Sequence, residues 1–156
     1  MTIELNAPIP EFAALKATSE TEVSSDTLTN KFSVLYFYPK DSTSGCTLES
    51  QDFSRLHDEF LALDCQIFGI SRDSIKSHEN FKAQHSMPFE LISDPDEVLC
   101  SAFDVMKMKN MYGKQVRGVE RSTFLIDQSG VLVAEWRKVK VPGHADEVLE
   151  TLRGLS

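Results

Sequence analysis

Cys46 follows an apolar run that ends at Tyr38-Pro39 and opens a segment with helical spacing, so a thiol is delivered onto the first turn of a helix. A sulfur there lies beside unpaired backbone N–H groups and the positive end of the helix dipole, both of which favour the thiolate. A free thiol, with a pKa of about 8.5, is mostly protonated at neutral pH, so a nearby cation is also needed. Arg121, at the start of a strand-like run, is a better candidate than the loop-borne Lys40. Thr43 and Ser44 supply hydroxyls, and Pro39 stiffens the loop while removing one donor. Together these residues would make Cys46 a redox nucleophile that attacks peroxides. A lone cysteine is more often an inert buried side chain, and residue types alone leave both readings open.

Other cysteine chemistries can be weighed by spacing. A dithiol oxidoreductase needs Cys-x-x-Cys, and position 49 is Glu49. A phosphate-clamping loop would carry an arginine six residues beyond the nucleophile, where Asp52 stands with the wrong sign. A cysteine hydrolase needs a base, for which His144 in Pro142-Gly143-His144 is the candidate, although a polar residue near a helix start explains it as well. His57, His78, His85 and His144 lack metal-ligand spacing, so no metal is expected.

The elements that must position these residues follow from hydrophobic period. Phe32–Tyr38 is a continuous apolar run rich in aromatic and β-branched residues, as in a strand buried on both faces. From Cys46 to Leu63, Phe53, Leu56, Phe60 and Leu63 recur at spacings of three and four, which predicts a helix. Cys65–Ser71 reads as a second central strand, Asp73–His85 as a helix capped by Asp73 or Ser74, and Phe89–Ile92 as a short strand. Asp94-Pro95-Asp96 starts a helix bearing Val98, Leu99, Ala102 and Phe103, which leaves Cys100 partly exposed. Lys107–Arg117 reads as basic and irregular. Ser122–Asp127 and Val131–Arg137 form a hairpin across Gln128-Ser129-Gly130, and Gly143 to Leu155 closes the chain with a helix. Near the N-terminus, Phe12–Leu15 and Glu22–Ser24 are expected to pair around Ala17-Thr18-Ser19-Glu20. The order describes one α/β domain over residues 1–156, with a mixed sheet flanked by helices and an N-terminal β-hairpin extension; a thioredoxin-like fold fits it.

Composition narrows the class of function. The 156 residues are 41% hydrophobic and 26% charged, with a formal net charge of −8, which argues against a nucleic-acid-binding face. No run approaches the roughly 18 apolar residues of a membrane helix, so no membrane partner is expected. The start Met1-Thr2-Ile3-Glu4 has neither a basic stretch nor an apolar h-region, and the three cysteines are odd in number and far apart. A cytoplasmic protein is the expectation.

Pro39, Thr43 and Cys46 are spaced as in the active-site pattern of the peroxiredoxins, and the chain resembles the Q-type (bacterioferritin comigratory protein) branch. Phe37–Asp41, Gly45–Glu49, Ile70–Ser74, Ser93–Asp96, Met111–Lys114 and Glu120–Asp127 carry the likeness over nearly the whole chain. The resemblance implies a thiol peroxidase, monomeric and free of metal and flavin. Cys46 would be the peroxidatic cysteine that becomes a sulfenic acid, and Arg121 would stabilise the thiolate and the leaving oxygen. Thr43 would bond the peroxide, Pro39 would screen the sulfur, and Glu49 would orient the arginine.

The chain departs from that pattern where an internal disulfide would form. Gln51 occupies the slot in which many members carry a resolving cysteine, and the alternative slot near Lys82-Ala83 holds none either. The expectation is therefore a one-cysteine cycle in which thioredoxin, glutaredoxin or glutathione resolves the sulfenic acid. A Cys46–Cys100 disulfide, formed after local unwinding, is the alternative, with Cys65 a core thiol. A redox-sensing or holdase role with slow turnover is the non-enzymatic competitor.

Overall fold

The computed structural model describes residues 3–155. Its elements in chain order are β1 (Leu15–Ala17), β2 (Thr21–Val23), a 3-10 turn (Ser25–Leu28), β3 (Phe32–Phe37), α1 (Ser44–Ala62), β4 (Cys65–Ser71), α2 (Ile75–Gln84), β5 (Glu90–Ser93), α3 (Val98–Ala102), β6 (Met106–Met111), β7 (Lys114–Val119), β8 (Ser122–Ile126), β9 (Leu132–Trp136) and α4 (His144–Leu155). Seven strands form one sheet in the order β2-β1-β5-β4-β3-β8-β9, and β6 and β7 form a separate two-stranded ribbon. The central pairings β3–β4 and β4–β5 are parallel, and those toward both edges are antiparallel. No described helix is long and apolar enough to cross a membrane.

Strand β3 is buried along its whole length because both sheet faces are covered. Its side chains alternate: Val34 and Tyr36 pack with Phe53 and Phe60 of α1 and Val148 and Leu152 of α4, while Leu35 and Phe37 join a cluster with Leu99, Phe103 and Phe124 on the other face. Cys46 belongs to the first cluster and Cys100 to the second.

Three departures from the sequence-based expectation have physical causes. The N-terminal hairpin sits further along, with Leu15 opposite Val23 and Ala17 opposite Thr21. Its turn uses Ser19 and Glu20 at φ 58 and 57, and Ala17 pairs with Ile92, so the hairpin extends the main sheet. The basic segment 107–117 is not irregular: Met106–Met111 pairs with Lys114–Val119 around Tyr112-Gly113, both at positive φ, as in a type I′ turn. Cys100 is fully buried because Asp94 accepts from the Val98 and Cys100 N–H groups, at 2.7 and 2.8 Å, and so sets the short α3 against the sheet.

Candidate active site

The loop after β3 places Cys46. Tyr38 continues the strand by donating its N–H to the Ile70 carbonyl, and the chain then turns through Pro39–Thr43 into α1. Thr43 is the N-cap by backbone geometry: its carbonyl accepts from Thr47 N–H at 2.9 Å. Its exposed hydroxyl donates back to the Lys40 carbonyl at 3.0 Å. Pro39 is half-buried beside it. The Cys46 side chain comes off the first helical turn fully buried.

Arg121 enters from the start of β8, where the ribbon ends. The Glu120 N–H donates to the Val105 carbonyl, and the Arg121 carbonyl accepts from Val139 N–H at 3.0 Å, so the backbone is held from both sides. The guanidinium fork spans one helical turn of α1: Nη2–H donates to Cys46 Sγ at 3.3 Å and Nη1–H to Glu49 Oε1 at 2.6 Å. Burial pushes the Glu49 carboxyl up to about 7 despite the pull of Arg121, and its Oε2 is buried without a partner. Gly45 leaves room for the fork, since a Cβ there would lie 3.1 Å from Arg121 Nη2. Lys40 contributes no ion pair to this arrangement among the described residues.

Two parts of the site are not apparent from the sequence. Asp41 is buried and accepts from the Tyr38 hydroxyl at 2.6 Å, the Ser77 hydroxyl at 2.8 Å and His78 Nδ1 at 2.7 Å, while its own N–H donates to Asp73 Oδ2 at 2.9 Å. Burial alone would raise the Asp41 carboxyl, but these bonds, His78 foremost, hold it below the usual carboxylate range. This network fastens the cysteine loop to the start of α2. The ligand-type atoms of Asp41, Asp73 and His78 lie within 4.8 Å of one another, but they are engaged with one another, with hydroxyls and with the Ile92 carbonyl. The pairing joins residues more than 30 apart, and no local motif announces it. The second part is Lys109 on β6, whose Nζ donates to the Val119 carbonyl. Burial foremost, with the charge of Arg121, lowers its pKa, while Cys46 and Glu120 pull the other way. The alternation Met106-Lys107-Met108-Lys109 is the signal that could have located it.

The remaining candidates lie elsewhere. His144 Nε2 shares a 2.7 Å hydrogen bond with the Thr123 hydroxyl, and its ring packs edge-on to Phe53 and Trp136. Burial lowers its pKa to about 4, and it makes no hydrogen bond to Cys46, so a cysteine–histidine hydrolase dyad is not assembled. Cys65 is paired with Phe32 at the far end of β3, roughly 16 Å of strand away from the Cys46 end. Burial pushes its thiol up to about 12 and that of Cys100 higher still.

A thiol under a guanidinium at a helix N-terminus, beside a mixed sheet, defines a cysteine-based redox site. The AhpC/TSA family model matches residues 5–135, and the chain belongs to this family. It is 61% identical over 120 residues to peroxiredoxin Bcp of Xanthomonas campestris pv. campestris, covering 77% of this chain and 75% of that one. It is 48% identical to peroxiredoxin Bcp of Bacillus subtilis, over 100% of this chain and 99% of that one. Among solved structures, peroxiredoxin Q of Xylella fastidiosa superposes with a TM-score of 0.93 at 42% identity, covering 97% and 96% of the two chains. The Xanthomonas campestris bacterioferritin comigratory protein superposes with a TM-score of 0.87 at 52% identity, covering 91% and 90%. The fold is that of the thioredoxin-like peroxiredoxins, and the activity is that of a thiol peroxidase.

Proposed function

We propose that Cys46 reduces hydrogen peroxide and organic hydroperoxides by nucleophilic attack on the O–O bond, becoming a sulfenic acid and releasing water or an alcohol. The observation that carries this reading is the Arg121 fork, one arm on Cys46 Sγ and the other on Glu49. Sulfur itself accepts the oxygen, so the step needs no metal or flavin. Charge that develops on the departing oxygen meets donors already fixed in place, which is where such donors act most strongly. Thr43 takes the peroxide when its hydroxyl leaves the Lys40 carbonyl, and Pro39 keeps water from the sulfur. Because Sγ is fully buried at rest, a small opening of the Pro39–Thr43 loop admits the substrate.

Alkyl peroxide reduction by the related Xanthomonas protein supports organic hydroperoxides as substrates. Gln51 in place of a cysteine, and the burial of Cys65 and Cys100, support a one-cysteine cycle completed by an external thiol: thioredoxin, glutaredoxin or glutathione. We infer a cytoplasmic monomer, since all three cysteines are free and the exposed large apolar side chains are scattered over several elements. The test is peroxide consumption with a defined thiol donor. Cys46→Ser is expected to abolish it; a variant that consumed peroxide at the original rate would end the proposal.

A further inference from the structure

One guanidinium serves two acidic groups in a site closed to water. Cys46 is fully buried, and the side chains of Glu49 and Arg121 are only 1% and 16% exposed. With both sulfur and carboxyl ionised, the triad would carry a net negative charge in a medium that solvates it poorly. The structure also leaves a place for a proton, because Glu49 Oε2 is the one buried carboxylate oxygen without a hydrogen-bond partner among the described residues. Such an atom costs more as part of an unpaired anion than as a neutral O–H. Cys46 and Glu49, three residues apart on α1, are neighbours on one helix face, and the Arg121 fork joins them. A peroxide laid along that fork has one oxygen at the sulfur and the other toward the carboxyl.

We propose that the Cys46–Arg121–Glu49 triad holds a single shared proton, carried on Glu49 Oε2 while the sulfur is a thiolate, and that Glu49 gives this proton to the departing oxygen as a general acid. The proposal rests on the peroxidase reading above and assigns Glu49 a chemical step beyond orienting the arginine. The thiolate attacks the terminal oxygen of ROOH, the S–O bond forms as the O–O bond breaks, and RO⁻ takes the Glu49 proton. The products are Cys46–SOH, ROH and the Glu49 carboxylate. An external thiol R′SH then displaces water from the sulfenic acid, giving Cys46–S–S–R′. A second R′SH yields its proton to Glu49 and attacks the mixed disulfide, releasing R′S–SR′ and restoring thiolate and protonated carboxyl.

The surroundings pull in both directions, and burial outweighs the cation at Glu49. Burial raises the Glu49 carboxyl most, Arg121 opposes it, and Asp52 on the same helix adds to the rise. Tyr36 of β3 also faces this cluster, but burial holds its phenol neutral, and its hydroxyl is bonded to Ser50 at 2.8 Å. Lys109 of β6 faces Cys46 and Arg121 and adds positive charge on the sulfur side.

The experiment is single-turnover oxidation of Cys46, followed by intact mass, with two peroxides. An alkyl hydroperoxide expels a strongly basic alkoxide that needs a proton, whereas a peracid expels a carboxylate that does not. Glu49→Gln keeps an oxygen for Arg121 but has no acidic proton. It is expected to slow the tert-butyl hydroperoxide reaction by about 100-fold and the peracetic acid reaction by less than about threefold. Equal slowing with both peroxides, or slowing with neither, would overturn the proposal and leave Glu49 as a positioning residue. Should the variant fold poorly, the solvent isotope effect on the unmodified protein decides: a rate about twofold lower in D₂O for the alkyl hydroperoxide alone supports the proton transfer, and equal effects refute it. Retained peracid reactivity also separates this question from the peroxidase reading, which stands or falls with Cys46→Ser.

Discussion

His144 shows what burial does to a base whose partner is a hydroxyl instead of a carboxylate. Desolvation and the Arg121 charge lower its pKa from 6.5 to about 4, outweighing the opposite pull of Glu147. The folded protein therefore holds this ring neutral where the unfolded chain would protonate it. The stability that results is present above about pH 6.5 and is lost as pH falls toward 4. Discounted for partial solvent access, the loss is about 2 kcal/mol. Glu49 has the opposite sign: its folded pKa of about 7 lies above the ordinary 4.5, so its contribution is present below pH 4.5 and lost as pH rises through 7. Where these windows overlap, from about pH 4.5 to 6.5, the two slopes oppose each other, and removing one exposes the other. In melting curves taken from pH 4 to 8, His144→Gln should lose the acid-side fall of the original protein while keeping the decline toward neutral pH. An unchanged acid limb would mean that other groups control it.

Among the elements, β3 and its loop were legible because their signals are local. A continuous apolar run, a proline and helical spacing beyond Cys46 leave little choice of structure in this stretch. The β6–β7 ribbon is hard to read in the sequence because glycines at 113 and 118 interrupt the period-two pattern of Met and Lys. The polar network around Asp41 was beyond reach for a different reason: its register depends on how α2 seats against β5, which only tertiary packing decides. Close contact across strands is likewise invisible in one dimension. Gly69 of β4 lies opposite Tyr36 of β3, and a Cβ there would come within 2.7 Å of the Tyr36 ring and of Leu91. The Tyr36 hydroxyl is bonded to Ser50 on α1, so the ring cannot move without disturbing the helix that carries Cys46. Gly69→Ala should cost about 2 kcal/mol through overpacking, lowering Tm by roughly 4–8 °C. Thermal unfolding by circular dichroism measures this directly, and a Tm within one degree of the original would show that the strand pair has slack.

At the scale of the whole molecule, the sheet decides which sulfurs can meet. Cys46 lies in the core cluster beneath α1 and α4, and Cys100 in the cluster on the opposite face. A disulfide needs Cα atoms within roughly 7 Å, so joining these two would require α1 or α3 to leave its place against the sheet. Cys65 shares the Cys46 face but stands at the other end of β3, and its own thiol is suppressed by burial. The one-cysteine cycle proposed above, in which an external thiol meets the sulfenic acid, makes two predictions at this scale. Intact mass after one equivalent of peroxide should show the gain of one oxygen, and with glutathione present a mixed adduct on Cys46. The Cys65→Ser, Cys100→Ser double variant should then turn over peroxide within about twofold of the original rate, because neither sulfur takes part. A loss of two hydrogens from the peroxide-treated protein, or a double variant that oxidises once and stalls, would require an internal resolver and a rearrangement far larger than a frayed helix.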